Sequence, residues 1–169
     1  MEKLQNFFSL TAMSTLALGL CLGSLQAQDV KEAAVSSLFV DSTAALSTSS
    51  QAAVAVPGII FNLPAETSSN KFAIVTLSMP NLYLNGTPTS GSLGGQVSVV
   101  LSGVTTLATA NISNDVGGMG AAGRKNVTIQ VKISLLPGLQ SVQAFWNGVR
   151  GATINTDTYS SMSAILTGN

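Results

Sequence analysis

The sequence predicts an all-β fold, an antiparallel β-sandwich of the jelly-roll type with about seven or eight strands. Three observations lead to this prediction. Apolar and polar residues alternate along several short segments, turn-forming pairs that contain glycine separate those segments, and the chain from residue 53 onward has no apolar spacing of helical length. The sequence also contains no repeat of fixed period, which argues against a solenoid or a propeller.

The first part of the chain, residues 1–27, has the pattern of a signal peptide. Lys3 gives the start a positive charge, residues 7–22 are almost wholly apolar or small, and Ala27 suits the last position before a cleavage site. An uncleaved membrane anchor is one alternative, but hydroxyl residues interrupt the apolar stretch, and a spanning helix needs about 20 apolar residues. Acylation at Cys21 is another alternative, although the residue before it, Leu20, is larger than the residue that lipoprotein signals normally have at this position. We therefore expect a secreted protein, extracellular or in the bacterial periplasm or outer surface, without a membrane span after cleavage.

Residues 28–52 are predicted to form a flexible N-terminal arm between the signal peptide and the sandwich. The segment is rich in small and polar residues, and its clearest low-complexity piece is the run at 47–51. A short amphipathic helix over residues 29–40 is the alternative. From residue 53 onward the composition changes to short β-type runs, so we place the β-sandwich domain at residues 53–169.

The clearest predicted strand covers residues 126–135, where apolar and polar residues alternate throughout. A period of two places one face of a strand toward a core and the other toward water. Residues 72–79 repeat the pattern, and we expect Pro80 to end that strand because proline has no N–H for the ladder. The other predicted strands are 55–63, 96–101, 105–111, 140–146 and 159–167. The predicted turns are Asn85-Gly86, Gly94-Gly95, Gly117-Gly118, Pro137-Gly138 and Asn147-Gly148.

The composition excludes several classes of function. Only 8% of the residues are charged, the formal net charge is zero, and the sequence has no basic stripe, so we expect no nucleic-acid partner. The sequence contains no histidine, and its only cysteine, Cys21, would leave with the signal peptide. Ser-His-Asp or Cys-His catalysis and zinc, copper or non-haem iron sites therefore lack their usual residues. We expect a protein that is not an enzyme and has no cofactor, with calcium as the one ion left open.

Two polar regions are the candidates for ligand or partner contact. A glycine-rich segment ends at Arg124 and leads into a strand, whereas a phosphate-binding loop leads into a helix, so we interpret it as a flexible recognition loop. Side-chain oxygens of residues 111–115 and 155–158 could bind calcium, although turn formation explains the same residues. The candidate contact residues are Gly117, Gly118, Gly120, Gly123, Arg124, Asn111, Asp115 and Asp157.

The C-terminal part of the chain resembles a known group of jelly rolls. Residues 126–148 read NVTIQVKISLLPGLQSVQAFWNG, and residues 160–166 read SSMSAIL. These segments look like the closing half of secreted and phage-borne jelly rolls similar to the tumour necrosis factor and complement-type globular heads. VPGIIFNL at 56–63 and FAIVTLS at 72–78 are similar to the first two core strands of those domains. The resemblance covers about half of the mature chain, and it implies a jelly roll and a trimer.

Together these observations favour a secreted or cell-surface β-sandwich with a structural, adhesive or self-assembling role. The low charge weakly opposes association between copies, so self-association or a surface or glycan partner is expected. One alternative is a carbohydrate-binding, lectin-like module in which Trp146, Tyr83 or Tyr159 stacks on a sugar. For Trp146 we favour a core position, because it shares a strand face with Val142 and Ala144. Another is a pilin-like subunit in which the arm at 28–52 donates a strand to a neighbouring copy.

Overall fold

The structure is a computed structural model that describes residues 37–114, 123–157 and 159–168. The predicted signal peptide, residues 1–27, lies outside the described residues. The described chain is all-β, as the sequence predicted, and none of it forms a helix long and apolar enough to cross a membrane. It forms ten strands. These are β1 (Ser37–Ser42), β2 (Leu46–Thr48), β3 (Val54–Leu63), β4 (Phe72–Gly86), β5 (Leu93–Leu101), β6 (Thr105–Asn114), β7 (Lys125–Ser134), β8 (Gln140–Val149), β9 (Ala152–Thr156) and β10 (Ser160–Thr167).

The strands pair into two antiparallel sheets. The first sheet has the order β1-β10-β4-β9-β2, with β7 paired to β4, and the second has the order β3-β8-β5-β6. In the first sheet, the beginning of the long strand β4 pairs with β10 and β7, and its end, from Tyr83 to Gly86, pairs with β9. Because β1 pairs with β10 and β2 with β9, the ten strands occupy eight positions across the two sheets.

The connections produce the jelly-roll arrangement. The chain changes sheets at every connection except β1–β2, β5–β6 and β9–β10. Side chains of alternating strand residues from both sheets meet in one buried cluster, as the alternating sequence predicted. Trp146 on β8 lies in this cluster and is only 1% exposed. Its largest fully buried members are Trp146, Ile59, Leu63, Leu77, Met79, Leu82, Ile154 and Met162.

The structure differs from the prediction in the segment 28–52, of which residues 28–36 lie outside the described residues. Its residues 37–42 and 46–48 form β1 and β2, which pair with β10 and β9, so this part is neither a flexible arm nor a helix. Leu38, Val40 and Leu46 pack against the core, which explains why the segment joins the sheet. Because β1 and β2 already pair within their own sandwich, these residues are not free to donate a strand to a neighbour, as the pilin alternative requires.

Four local predictions were also wrong. Strand β4 continues through Pro80 to Gly86, because a bulge with Asn81 at φ 59° accommodates the shift in register between Met79 and Leu82. The pair Asn85-Gly86 lies at the end of β4 and forms no turn. The pairs Gly94-Gly95 and Asn147-Gly148 lie inside β5 and β8 and form no turn either.

Glycine is required in these two strands because other chain segments approach closely. A Cβ on Gly148 would overlap the carbonyl oxygen of Ala152, and a Cβ on Gly95 would lie 2.6 Å from Cδ1 of Ile154. The chain reverses instead at Arg150 and Gly151, between β8 and β9, and both residues have positive φ. These glycines therefore allow β9 to fold back over β8 and to reach the end of β4.

Candidate functional site

A group of polar side chains gathers where β4 ends, β7 begins and β9 ends. We call it the Tyr83 cluster, and it consists of Tyr83, Asn85, Arg124, Asn155 and Asp157. The pairing of Tyr83 with Asn155 brings β4 and β9 side by side, and the pairing of Leu82 with Lys125 brings the start of β7 to the same place. The cluster therefore depends on three chain segments that are far apart in the sequence.

Arg124 is the centre of the cluster. Its Cζ lies 5.1 Å from the centroid of the Tyr83 ring, and its Nη1 forms an ion pair with Oδ2 of Asp157. Both charged side chains are partly exposed, so the ion pair contributes less than about 1 kcal/mol to stability. Its importance is geometric, because the ring and the carboxylate together orient the guanidinium while solvent still reaches both charges.

The two asparagines form a second, linked pair. Nδ2 of Asn155 donates to Oδ1 of Asn85 at 3.1 Å and to the backbone carbonyl of Thr153 at 3.1 Å. The cluster therefore presents hydrogen-bond donors and acceptors in a fixed arrangement on the sheet surface. Tyr159 lies two residues beyond Asp157 and is 62% exposed, so an open aromatic ring stands close in sequence to the ion pair. Such a surface can bind a neutral polar ligand by hydrogen bonds and ring contact.

No metal site is evident in the part of the chain that the structure describes. It contains no group of three or more His, Cys, Asp or Glu side chains that could hold an ion. Asp157, which the sequence suggested for calcium, has Arg124 as its partner. Asp115, the other suggested carboxylate, lies outside the described residues.

The structure brings two of the candidate contact residues together, namely Arg124 and Asp157. Gly123 precedes Arg124 and has φ 106°, which suits glycine at this exposed position. Asn111 lies on β6, where its Oδ1 accepts a hydrogen bond of 3.1 Å from Gln96, and it lines an open groove of about 400 Å³ between the edges of β6 and β7. The remaining candidates, Gly117, Gly118, Gly120 and Asp115, lie outside the described residues.

Sequence reasoning placed Trp146 correctly and misjudged two amides. Trp146 is enclosed by the core, as its shared face with Val142 and Ala144 predicted, and it cannot stack on a ligand, whereas Tyr83 and Tyr159 are accessible. Asn85 and Asn155 were read as parts of polar turns, yet both lie in strands and bond to each other. No local sequence pattern predicts this contact, because it arises from the pairing of β4 with β9.

Comparisons with known proteins place the chain in a family. No curated protein matches it. Among solved structures, the infectious bursal disease virus VP2 subviral particle gives a TM-score of 0.46 at 11% identity, covering 80% of this chain and 33% of that one. Dimeric latent PorU from Porphyromonas gingivalis gives a TM-score of 0.38 at 11% identity, covering 76% of this chain and 13% of that one. The chain therefore spans a third or less of the length of either structure. The family model of the Bc2l-C N-terminal domain matches residues 43–165, from the bend after β1 into β10, and the chain belongs to this family.

Proposed function

We propose that the protein is a non-enzymatic, exported carbohydrate-binding protein and that the Tyr83 cluster, together with Tyr159, receives the sugar. The observation that carries this proposal is the arrangement of Arg124 between the Tyr83 ring and the Asp157 carboxylate on an accessible surface. The family of the Bc2l-C N-terminal domain is lectin-like, which supports the same interpretation.

The chemistry of the cluster suits a sugar. Each sugar hydroxyl both donates and accepts, and the cluster supplies an acceptor in Asp157, donors in Arg124 and an amide in Asn85. Charge-assisted hydrogen bonds from an ion pair are stronger than those between neutral groups. The open ring of Tyr159 offers an apolar surface for the C–H face of a pyranose.

The absence of histidine from the sequence supports a binding role over a catalytic one. A glycosidase would need two carboxyl groups on opposite sides of a glycosidic bond. Within the described residues, the carboxyl side chains are Asp41, Glu66 and Asp157, and Asp157 is the one that belongs to the Tyr83 cluster. The cluster thus offers one carboxylate, already paired with a cation, for binding a sugar rather than cleaving it.

A glycan array tests this proposal. We expect the purified protein to bind a defined subset of glycans with or without calcium, and Asp157→Asn and Tyr159→Ala to lose at least about tenfold in affinity. Asp41→Asn, which removes an exposed acid on β1, is the matched control and should bind as the unmodified protein does. An array without any bound glycan, or Asp157→Asn binding unchanged, would contradict the proposal.

Self-association is a second candidate, favoured by the outer face of the first sheet. Phe39 on β1 is 65% exposed, and Ile165 on β10 pairs directly with Ile74 on β4 on the same face. The rest of that face carries mainly serine, threonine and glutamine, so few charges oppose a second copy. Light scattering should give a mass above that of one chain, falling toward one chain in Phe39→Ser. A single-chain mass for the unmodified protein would exclude this candidate.

A further inference from the structure

The most exposed aliphatic side chains of the described residues lie at the tips of two turns. Val104 in the β5–β6 turn is 84% exposed, Leu139 in the β7–β8 turn is 78% exposed, and Leu136 in the same turn is also exposed. We call these three residues the apolar tip. Turns usually carry polar residues or glycine, so three aliphatic side chains this exposed are unusual at these positions.

Hydrogen bonds hold the two turns together. The N–H of Ser102 donates to the carbonyl of Ser141 at 2.7 Å, which joins the β5–β6 turn to the start of β8. Within the β7–β8 turn, the N–H of Leu136 donates to Oε1 of Gln140 at 3.0 Å. The carbonyl of Leu136 accepts from the N–H of Glu66 at 3.0 Å. The apolar tip is therefore presented by ordered backbone at one end of the sandwich.

Cations and an aromatic ring border the apolar tip. The carbonyl of Lys71 accepts a hydrogen bond of 2.9 Å from the N–H of Leu135, so Lys71 lies beside the β7–β8 turn. Nζ of Lys132 lies 3.9 Å from the centroid of the Phe72 ring, close to the end of β7. Glu66 is the acid of the same region, so the two lysines leave a small positive excess. Aliphatic side chains bordered by aromatic and lysine residues are typical of a protein surface at a membrane interface.

The shape of this end favours a bilayer over a protein partner. A Cβ built on Gly103 or Gly138, the glycines of the two turns, would meet no atom within 4 Å, so both turns project into open space. A protein partner would be expected to bury aromatic residues in a fitted surface, whereas projecting aliphatic tips can enter the headgroup region singly. We propose that the apolar tip inserts into the surface of a lipid bilayer that contains anionic lipids, with Lys71 and Lys132 facing the headgroups.

Vesicle co-sedimentation of the full protein tests this proposal. The probes are vesicles of phosphatidylcholine alone and of phosphatidylcholine with phosphatidylglycerol. We expect binding to the anionic vesicles, weakened by high salt, and a decrease of at least about tenfold in partitioning for the double variant Leu136→Ser and Leu139→Ser. Ile60→Ser, which removes an exposed aliphatic side chain from β3, is the matched control and should bind as the unmodified protein does.

Two further measurements make the result decisive. Thermal unfolding of the double variant should match that of the unmodified protein, because the replaced side chains lie in solvent. Lys71→Gln should weaken binding to anionic vesicles and leave any binding to phosphatidylcholine unchanged. The proposal is overturned if the unmodified protein binds neither vesicle, if the folded double variant binds as strongly as the unmodified protein, or if both vesicles bind equally. None of these outcomes depends on a glycan, so the vesicle result is independent of the sugar-binding proposal.

Discussion

Strands β4 and β7 carry a cation–aromatic pair at each end, and the two ends differ in what surrounds the pair. At one end Arg124 lies over Tyr83 and also contacts Asp157, while at the other Lys132 lies over Phe72 without a carboxylate partner among the described residues. From Phe72 to Tyr83 the strand extends about 35 Å at the usual rise per residue.

The difference comes from the neighbouring segments. At the Tyr83 end, β9 adds Asn155, which bonds to Asn85, and the residue after β9, Asp157, gives the guanidinium a carboxylate partner. At the Phe72 end, the adjoining β7–β8 turn exposes Leu136 and Leu139. The same strand pair thus adjoins a polar surface at one end and an exposed aliphatic surface at the other, because β9 joins the first end and the β7–β8 turn joins the second.

The largest expected effect comes from the core that joins the two ends. Trp146→Ala removes the largest side chain of the core, and we expect a loss of about 3–5 kcal/mol in the free energy of unfolding. Urea denaturation followed at both ends, by Tyr83 and by a probe near Phe72, should give one coincident transition. Separate transitions would show that the two ends do not share one core. The matched control, Tyr159→Ala, removes an exposed ring and should change stability by less than about 0.5 kcal/mol.

Two glycines, Gly148 and Gly138, differ in the space that an added methyl group would find, and they lie toward opposite ends of the sandwich. Gly148→Ala places a methyl group against the backbone carbonyl of Ala152, which cannot move aside without displacing β9, so we expect a loss of about 3 kcal/mol. Gly138→Ala, in the turn at the other end, meets no neighbouring atom and suffers only from its φ of 122°, which costs about 1–2 kcal/mol. Equal losses in urea denaturation would mean that β9 does not fold tightly over β8.

These glycines also show where sequence reasoning succeeds and where it fails. The alternation of apolar and polar residues predicted β7 to within one residue at each end, because the two faces of a half-buried strand carry apolar and polar residues in turn. Sequence reasoning misjudged Asn147-Gly148, because glycine occurs both in turns and where another chain segment lies against the backbone. Only the position of β9 in the fold distinguishes the two cases. Sequence reasoning likewise singled out Arg124 and Asp157 separately. Their contact, and that with Tyr83, depends on pairings between distant strands, which no local pattern encodes.

A smaller effect, of opposite sign, is expected at the start of β10 near the Tyr83 end. The hydroxyl of Ser160 is buried and has no hydrogen-bond partner among the described residues. Because a buried unpaired hydroxyl is destabilising, Ser160→Ala should raise the free energy of unfolding by about 1 kcal/mol. Ser163→Ala, on the outer face of the same strand, is the control and should leave the thermal midpoint unchanged. A lower midpoint for Ser160→Ala would instead show that the hydroxyl has a stabilising partner.

The smallest expected effects on the free energy of unfolding come from replacing the two cations, Arg124 and Lys132. Arg124→Gln and Lys132→Gln should each cost about 0.5 kcal/mol, because both side chains are exposed to solvent. Only the Arg124 effect should shrink in high salt, since Arg124 has a carboxylate partner and Lys132 does not among the described residues. Urea denaturation of both variants at low and high ionic strength measures the two stability losses and their salt dependence. An equal salt dependence would remove the electrostatic distinction between the two ends.

The central claim is that the Tyr83 end binds carbohydrate and the Phe72 end does not. Titration calorimetry with the strongest glycan from the array, on Arg124→Gln and Lys132→Gln side by side, tests it most directly. We predict that Arg124→Gln lowers the affinity by at least about tenfold, because it removes both the charge-assisted donor and the partner that orients Asp157. Lys132→Gln should bind as the unmodified protein does. Equal affinities for the two variants, or a loss confined to Lys132→Gln, would contradict the claim.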